Sequence, residues 1–245
     1  MIGQALRAQA RGLAGDVVLL WVAVAAFLMS LSLATSIPPE FADAPADARE
    51  TLTAPFSAVL ATYGAVLAAV YGSFRYTIDR RDGVVAQRLM LQPRWATLLA
   101  RVPASAVGGS VVALAAVAGG HTALAVAMGG VAIDLPSIGS ALALGAVAGL
   151  WGMGFGVVVQ AHLVALFLVS MSMGASILVA MFWKVGAVYL PLLAMLQAFR
   201  FDLAAVGVMP EDSLDGSVAA FVTAGWVVAA LLAGGVAFMK RDVTS

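Results

Sequence analysis

Residues 74–102 read FRYTIDRRDGVVAQRLMLQPRWATLLARV, six arginines against two aspartates, set between two long apolar runs. A bilayer-crossing helix needs about 20 apolar residues, and the runs on either side of this basic connection are that long. Working outward, further runs bring the total to six: 17–37, 55–74, 102–125, 138–159, 163–183 and 217–239. The composition agrees, with 62% hydrophobic and 11% charged residues over 245 positions and a mean hydropathy of +1.01. That is too apolar for a water-soluble fold. The expected class is an all-α polytopic membrane protein of six transmembrane helices, one domain over 1–245, with no separate soluble domain.

Charge placement sets the expected orientation. Net formal charge is zero, yet 1–16, 75–101 and 240–245 hold ten of the thirteen basic residues: Arg7, Arg11, Arg75, Arg80, Arg81, Arg88, Arg94, Arg101, Lys240 and Arg241. The alternate connections carry nine of the thirteen acids: Glu40, Asp43, Asp47, Glu50, Asp134, Asp202, Glu211, Asp212 and Asp215. The positive-inside rule counts Lys and Arg, and it places both termini and the 75–101 connection on the cytoplasmic side of a cell membrane. The stretch 163–199 contains a single charge, Lys184, and admits two short spans. A seventh crossing would reverse the charge bias downstream of it. One span to Trp183 is therefore expected, followed by 185–199, interrupted by Pro191, as a re-entrant or interfacial element on the outer side. The first run carries Ser32-Leu33-Ala34, similar to a signal cleavage site, but it is longer than a signal core and is expected to remain as an anchor.

Both ends of the cytoplasmic surface have helical patterns. The leader 1–16 places Ile2, Leu6, Gln9 or Ala10, and Leu13 on one face and Arg7 with Arg11 on another, as in an amphipathic helix at the inner interface. Within 75–101, Asp79-Arg80-Arg81-Asp82-Gly83 reads as a turn or cap cluster. Val84 to Gln92 then forms about two helical turns, and Pro93 stops it. Two readings of this short helix stand side by side: a docking surface for a soluble partner, or a basic surface on anionic lipid headgroups.

Missing motifs narrow the chemistry. There is no cysteine and there are two histidines, His121 and His162, so disulfides and thiolate sites are excluded and a histidine metal site is not expected. No phosphate-loop motif occurs, and neither of the two lysines, Lys184 and Lys240, completes one. Nucleotide hydrolysis would therefore belong to another chain. Gly-x-Ser-x-Gly and His-Glu-x-x-His are absent, and no span carries the paired acids of a proton relay. No catalytic, cofactor or metal site is assigned here.

Along the fourth span, Gly145, Gly149, Gly152 and Gly156 let helix backbones approach closely, with a hinge as the sharper alternative. Met153, Phe155 and Met171 belong to a methionine and aromatic group that reads as core or lipid-facing filler, or as an adaptable surface for an apolar substrate. His121, late in span three, is an ionisable group near the membrane and so a further candidate for substrate contact.

Around 82–101 the chain resembles the ABC-2 family of exporter permeases, small six-span subunits that work with a separate ATPase. That family's cytoplasmic coupling helix follows an acidic-x-Gly-Thr type pattern and leads through a proline-basic pair to a basic residue opening span three. Asp82-Gly83-Val84, Pro93-Arg94 and Arg101 occupy those places. The stretch 149–166, GLWGMGFGVVVQAHLVAL, is similar to the family's Gly-x-Gly run before the turn into span five, and 185–199, VGAVYLPLLAMLQAF, to its outer re-entrant segment. The resemblance implies an ATPase docked beneath 75–101, with Arg80, Arg81, Asp82, Gly83, Arg88, Pro93 and Arg94 as the coupling residues. It also implies a homodimer or a pair with a similar permease, ATP and magnesium held by the ATPase subunit, no cofactor on this chain and no nucleic-acid partner. The expected function is ATP-driven export of a hydrophobic or amphipathic substrate such as a drug, peptide or lipid-like molecule. The alternative is a non-transport assembly or scaffold protein whose basic loop holds lipid headgroups.

Overall fold

Segments this apolar find few outside partners for their backbone N–H and C=O groups, so they pair them internally as helices. The structure, a computed structural model, describes residues 2–37, 45–129, 135–209 and 212–240. Of the charge pattern, Glu40, Asp43, Asp134, Glu211, Arg241 and the side chains of Asp47 and Glu50 lie outside the described residues. The helices are α1 Ile2–Ala14, α2 Val17–Leu31, α3 Ala46–Arg81, α4 Val84–Leu91, α5 Arg94–Met128, α6 Leu135–Val159, α7 His162–Ala180, α8 Lys184–Ala187, α9 Pro191–Ala198 and α10 Gly216–Lys240. Among the described residues there is no strand. Among the described residues, six segments are long and apolar enough to cross a membrane: Val17–Ser36, Pro55–Arg81, Arg94–Met128, Leu135–Val159, His162–Ala180 and Gly216–Lys240. The chain thus has the make-up of a multi-pass membrane protein.

α3 and α6 form the centre, with α5 packed against both and α2, α7 and α10 around them. Small residues make the centre possible. A Cβ at Gly152 would overlap the Ala69 carbonyl of α3, and one at Gly156 the Ser73 carbonyl. Gly145 and Gly149 lie as tightly on α5, against the carbonyls of Gly109 and Ser105. These four glycines are therefore divided between two neighbours, each approaching at backbone contact, the geometry in which van der Waals packing drives helix association in lipid; Gly154 meets a third, α10, at the Ala230 backbone. Ser110 Oγ adds a cross-link by donating to the Leu142 carbonyl at 2.9 Å.

The two ends of the bundle differ. The junctions α1–α2 and α3–α4–α5 and the end of α10 gather at one end, which carries Arg75, Arg88, Arg94 and Arg101 and is called the basic end below. α8 and α9 occur between α7 and α10. All residues from Pro191 to Gln197 in α9 are buried, and α9 packs on α10 and α7. Gln197 holds this region together: its Nε2 donates to the carbonyls of Leu193 (3.1 Å) and Val188 (3.4 Å), and its Oε1 accepts from Leu214 N at 2.5 Å. Trp226 Nε1 of α10 donates to the Tyr189 carbonyl at 2.7 Å.

Two details depart from the sequence reading. α3 runs seven residues beyond Phe74, to Arg81, and α5 begins at Arg94, so the polar connection shrinks from 75–101 to 82–93. Asp79 therefore lies inside a helix, not in a turn. In α1 the buried residues are Ala5 and Gln9, with α1 packed on α5, while Ile2 and Leu6 remain exposed.

Candidate functional site

The short helix α4 is shaped by its two ends. Gly83 takes φ +74°, a left-handed conformation that a residue without Cβ adopts at little cost, and the chain turns there from the end of α3 into α4. At the far end Gln92 is extended (φ −144°, ψ 146°), the conformation favoured before a proline. The Pro93 carbonyl then accepts from Ala96 N and Thr97 N, both at 3.1 Å, to start α5. α4 buries Val85 among Tyr76, Met153, Val157 and Phe238. Met90 and Leu91, by contrast, are each 85% exposed, and Arg81 and Asp82 are exposed just before the opposite end of α4. Arg94 points elsewhere: its guanidinium donates to the Met239 carbonyl at 2.9 Å and the Phe238 carbonyl at 3.5 Å, capping the carbonyl end of α10 where a cation is favoured.

Behind α4 lies a cluster of buried charge. Asp16 caps α2, its Oδ1 accepting from Val18 N and Leu19 N at 3.0 and 3.2 Å. Its Oδ2 takes Arg75 Nε at 2.6 Å and the Tyr71 hydroxyl at 3.1 Å. One turn along α3, Asp79 accepts from Arg75 Nη1 through Oδ1 at 2.5 Å and from Arg101 Nη2 of α5 through Oδ2 at 2.8 Å. Arg101 also stands over the Tyr76 ring, 5.3 Å from its centroid, within cation–π range. The side chains of Asp16, Asp79 and Arg101 are 2%, 7% and 3% exposed. Charges this dry persist only when paired. The network ties the α1–α2 junction, α3 and α5 into one joint.

Arg88 extends this joint from α4. Its guanidinium lies with that of Arg75 over the backbone of Gly12, whose missing side chain leaves them room. Burial pushes the Arg88 guanidinium down from its ordinary value, Asp79 opposes that, and Arg75 adds to it. Arg88 Nη1 and Arg101 Nε are buried with no hydrogen-bond partner.

The coupling candidates thus fall into two groups. Arg81 and Asp82 face outward, whereas Arg88 is turned into the charge cluster and Arg94 onto α10; Gly83 and Pro93 shape the backbone. Arg80 is half-buried at the end of α3. The substrate candidates do not share a path. Met153 is buried at the floor of a groove of about 500 Å³ between α5 and α10, lined by Leu98, Val102, Leu231 and Gly235 with Lys240 at its edge. Phe155 packs at a tilt against Trp151, centroids 4.7 Å and ring planes 52° apart, and Met171 faces outward from α7. His121 lies toward the opposite end of α5, in a small cavity with Ser57, Ser137 and Phe201.

The sequence reading did not single out Asp16, Tyr71 or Tyr76, and it treated Asp79 as a cap. Two signals were present: Asp16 immediately before an apolar run, as an N-cap stands, and Arg75 with Asp79 at i,i+4, one face of a helix. Among the described residues, no group of three or more metal-ligating side chains is present. No protein-family model matches this sequence, and no curated protein matches it.

Proposed function

We propose that this chain is the permease subunit of an ATP-driven exporter of the ABC-2 type, with its basic end in the cytoplasm, α4 as the coupling helix and α8–α9 as an outer re-entrant element. The observation that carries this reading is α4: eight residues between two long spans, with Met90 and Leu91 exposed at a junction that also bears Arg81 and Asp82. Two large apolar side chains standing clear of the helices, at a junction that also bears charged groups, are suited to a soluble partner. α4 is also fastened inward by Val85, packed with Tyr76 of α3, Met153 and Val157 of α6 and Phe238 of α10, so a push on it reaches those three helices. ATP drives transport only when the ATPase binds the permease's two states with different strength. The membrane-facing groove between α5 and α10 supports an apolar or amphipathic cargo taken from the lipid phase.

The test uses inside-out vesicles containing this chain together with a phosphate-loop ATPase encoded beside it. ATP-dependent accumulation of an amphipathic fluorophore is expected, and Met90→Glu with Leu91→Glu should abolish it while the protein remains inserted. If the two proteins form no complex and ATP produces no uptake, the exporter reading fails and a scaffold role takes its place.

A further inference from the structure

We propose that Arg75, Arg88 and Arg101 form a binding site for a phosphate group, set behind α4 between α1, α3 and α5. The argument begins with charge. Three guanidiniums share two carboxylates, Asp16 and Asp79, and both carboxylates are already engaged, one by Arg75, Tyr71 and the start of α2, the other by Arg75 and Arg101. Arg88 brings a third positive charge and forms no ion pair with either acid. Burial disfavours its charge most; Asp79 favours it without a direct contact, and Arg75 and Arg101 repel it. The site therefore carries one uncompensated positive charge in surroundings that disfavour it.

Unused donors define what is missing. Arg88 Nη1 and Arg101 Nε are both buried without an acceptor, and buried guanidinium donors are expected to find one. An anion with several oxygens satisfies both the charge and the donors, and planar guanidiniums match phosphate oxygens in pairs. Arg88 is only partly buried, so the site has access from outside the helix bundle. At Gly12 a Cβ would come within 3.2 Å of Arg75 Nη2 and 3.8 Å of Arg88 Nη2, so a side chain there would take up the space an anion needs. The phosphate can be that of a phospholipid headgroup or a free phosphate ion, which present the same oxygens. This site is distinct from the outward surface formed by Arg81, and it does not depend on the exporter reading, since its test contains no ATPase.

The experiment measures thermal unfolding of the purified full chain under two comparisons: sodium phosphate against sodium chloride at equal ionic strength in neutral detergent, and nanodiscs with phosphatidylglycerol against phosphatidylcholine alone. A rise of several degrees with either anion is expected. Arg88→Gln should weaken the anion by about tenfold or more, the worth of one charge-assisted hydrogen bond. Gly12→Val should do the same by covering the site, whereas Arg7→Gln, an exposed cation elsewhere on α1, should retain the full response. Because Arg88 has no protein partner to lose, Arg88→Gln is expected to fold and to be at least as stable as the parent in chloride. A response to phosphatidylglycerol alone assigns the site to headgroups, and a response to phosphate in detergent assigns it to the free anion. No response to either, or an equal response in Arg88→Gln, overturns the proposal.

Discussion

Replacing Asp79 by asparagine tests whether the charge cluster is a structural joint. The carboxylate accepts from Arg75 at 2.5 Å and Arg101 at 2.8 Å, and Asp79→Asn keeps its shape while deleting its charge. With charge centres roughly 4 Å apart and an effective dielectric of about 20, each pair is worth about 4 kcal/mol of attraction before desolvation. Breaking a buried pair costs about 3–5 kcal/mol, because the partner charge stays behind. Arg75 still holds Asp16 at 2.6 Å, so the loss falls on Arg101, which is 3% exposed and already has an unpartnered Nε. For a chain of this size about 2–4 °C accompany each kcal/mol, which gives a fall of about 6–20 °C in detergent-solubilised protein. The double variant Asp79→Leu with Arg101→Met removes both charges and should recover most of that loss, as apolar replacement of buried ion pairs does. A fall under about 2 °C in Asp79→Asn, or a double variant as poor as the sum of its singles, would refute the claim that this cluster is dry and coupled.

Three other outcomes follow from the structure. Gly152→Ala places a methyl on the Ala69 carbonyl and should cost about 1–3 kcal/mol of stability, whereas Gly139→Ala and Gly174→Ala, with open space around them, should leave the unfolding temperature unchanged. Gln197→Leu deprives Leu214 N of its acceptor and should lower stability by about 1–3 kcal/mol, read by thermal unfolding together with faster proteolysis in the chain after α9. Because the sequence has no cysteine, single cysteines report topology directly. A membrane-impermeant maleimide should label Val185→Cys in intact cells and Gln87→Cys only after permeabilisation; labelling of Gln87→Cys in intact cells would overturn the cytoplasmic placement of α4.

The six helices long and apolar enough to cross a membrane were legible in the sequence because length and apolarity alone favour helix formation in a medium that supplies no hydrogen bonds. The break at α4 was legible for an equally local reason, since Gly83 and Pro93 impose their backbone conformations whatever surrounds them. The extent of α3 was not. Hydropathy treats Arg75, Asp79 and Arg101 as the start and end of a solvated loop, but in space the two arginines are paired by Asp79 together with the distant Asp16, and the helices run on. The α6 glycines announced close packing, yet whether each met α3, α5 or α10 depended on the arrangement of those helices. The bond between Tyr71 and Asp16 joins positions 55 residues apart, and no periodicity encodes that separation. Local backbone preference and apolar length are written residue by residue, whereas the pairing of buried charges is decided only when distant helices bring them within reach.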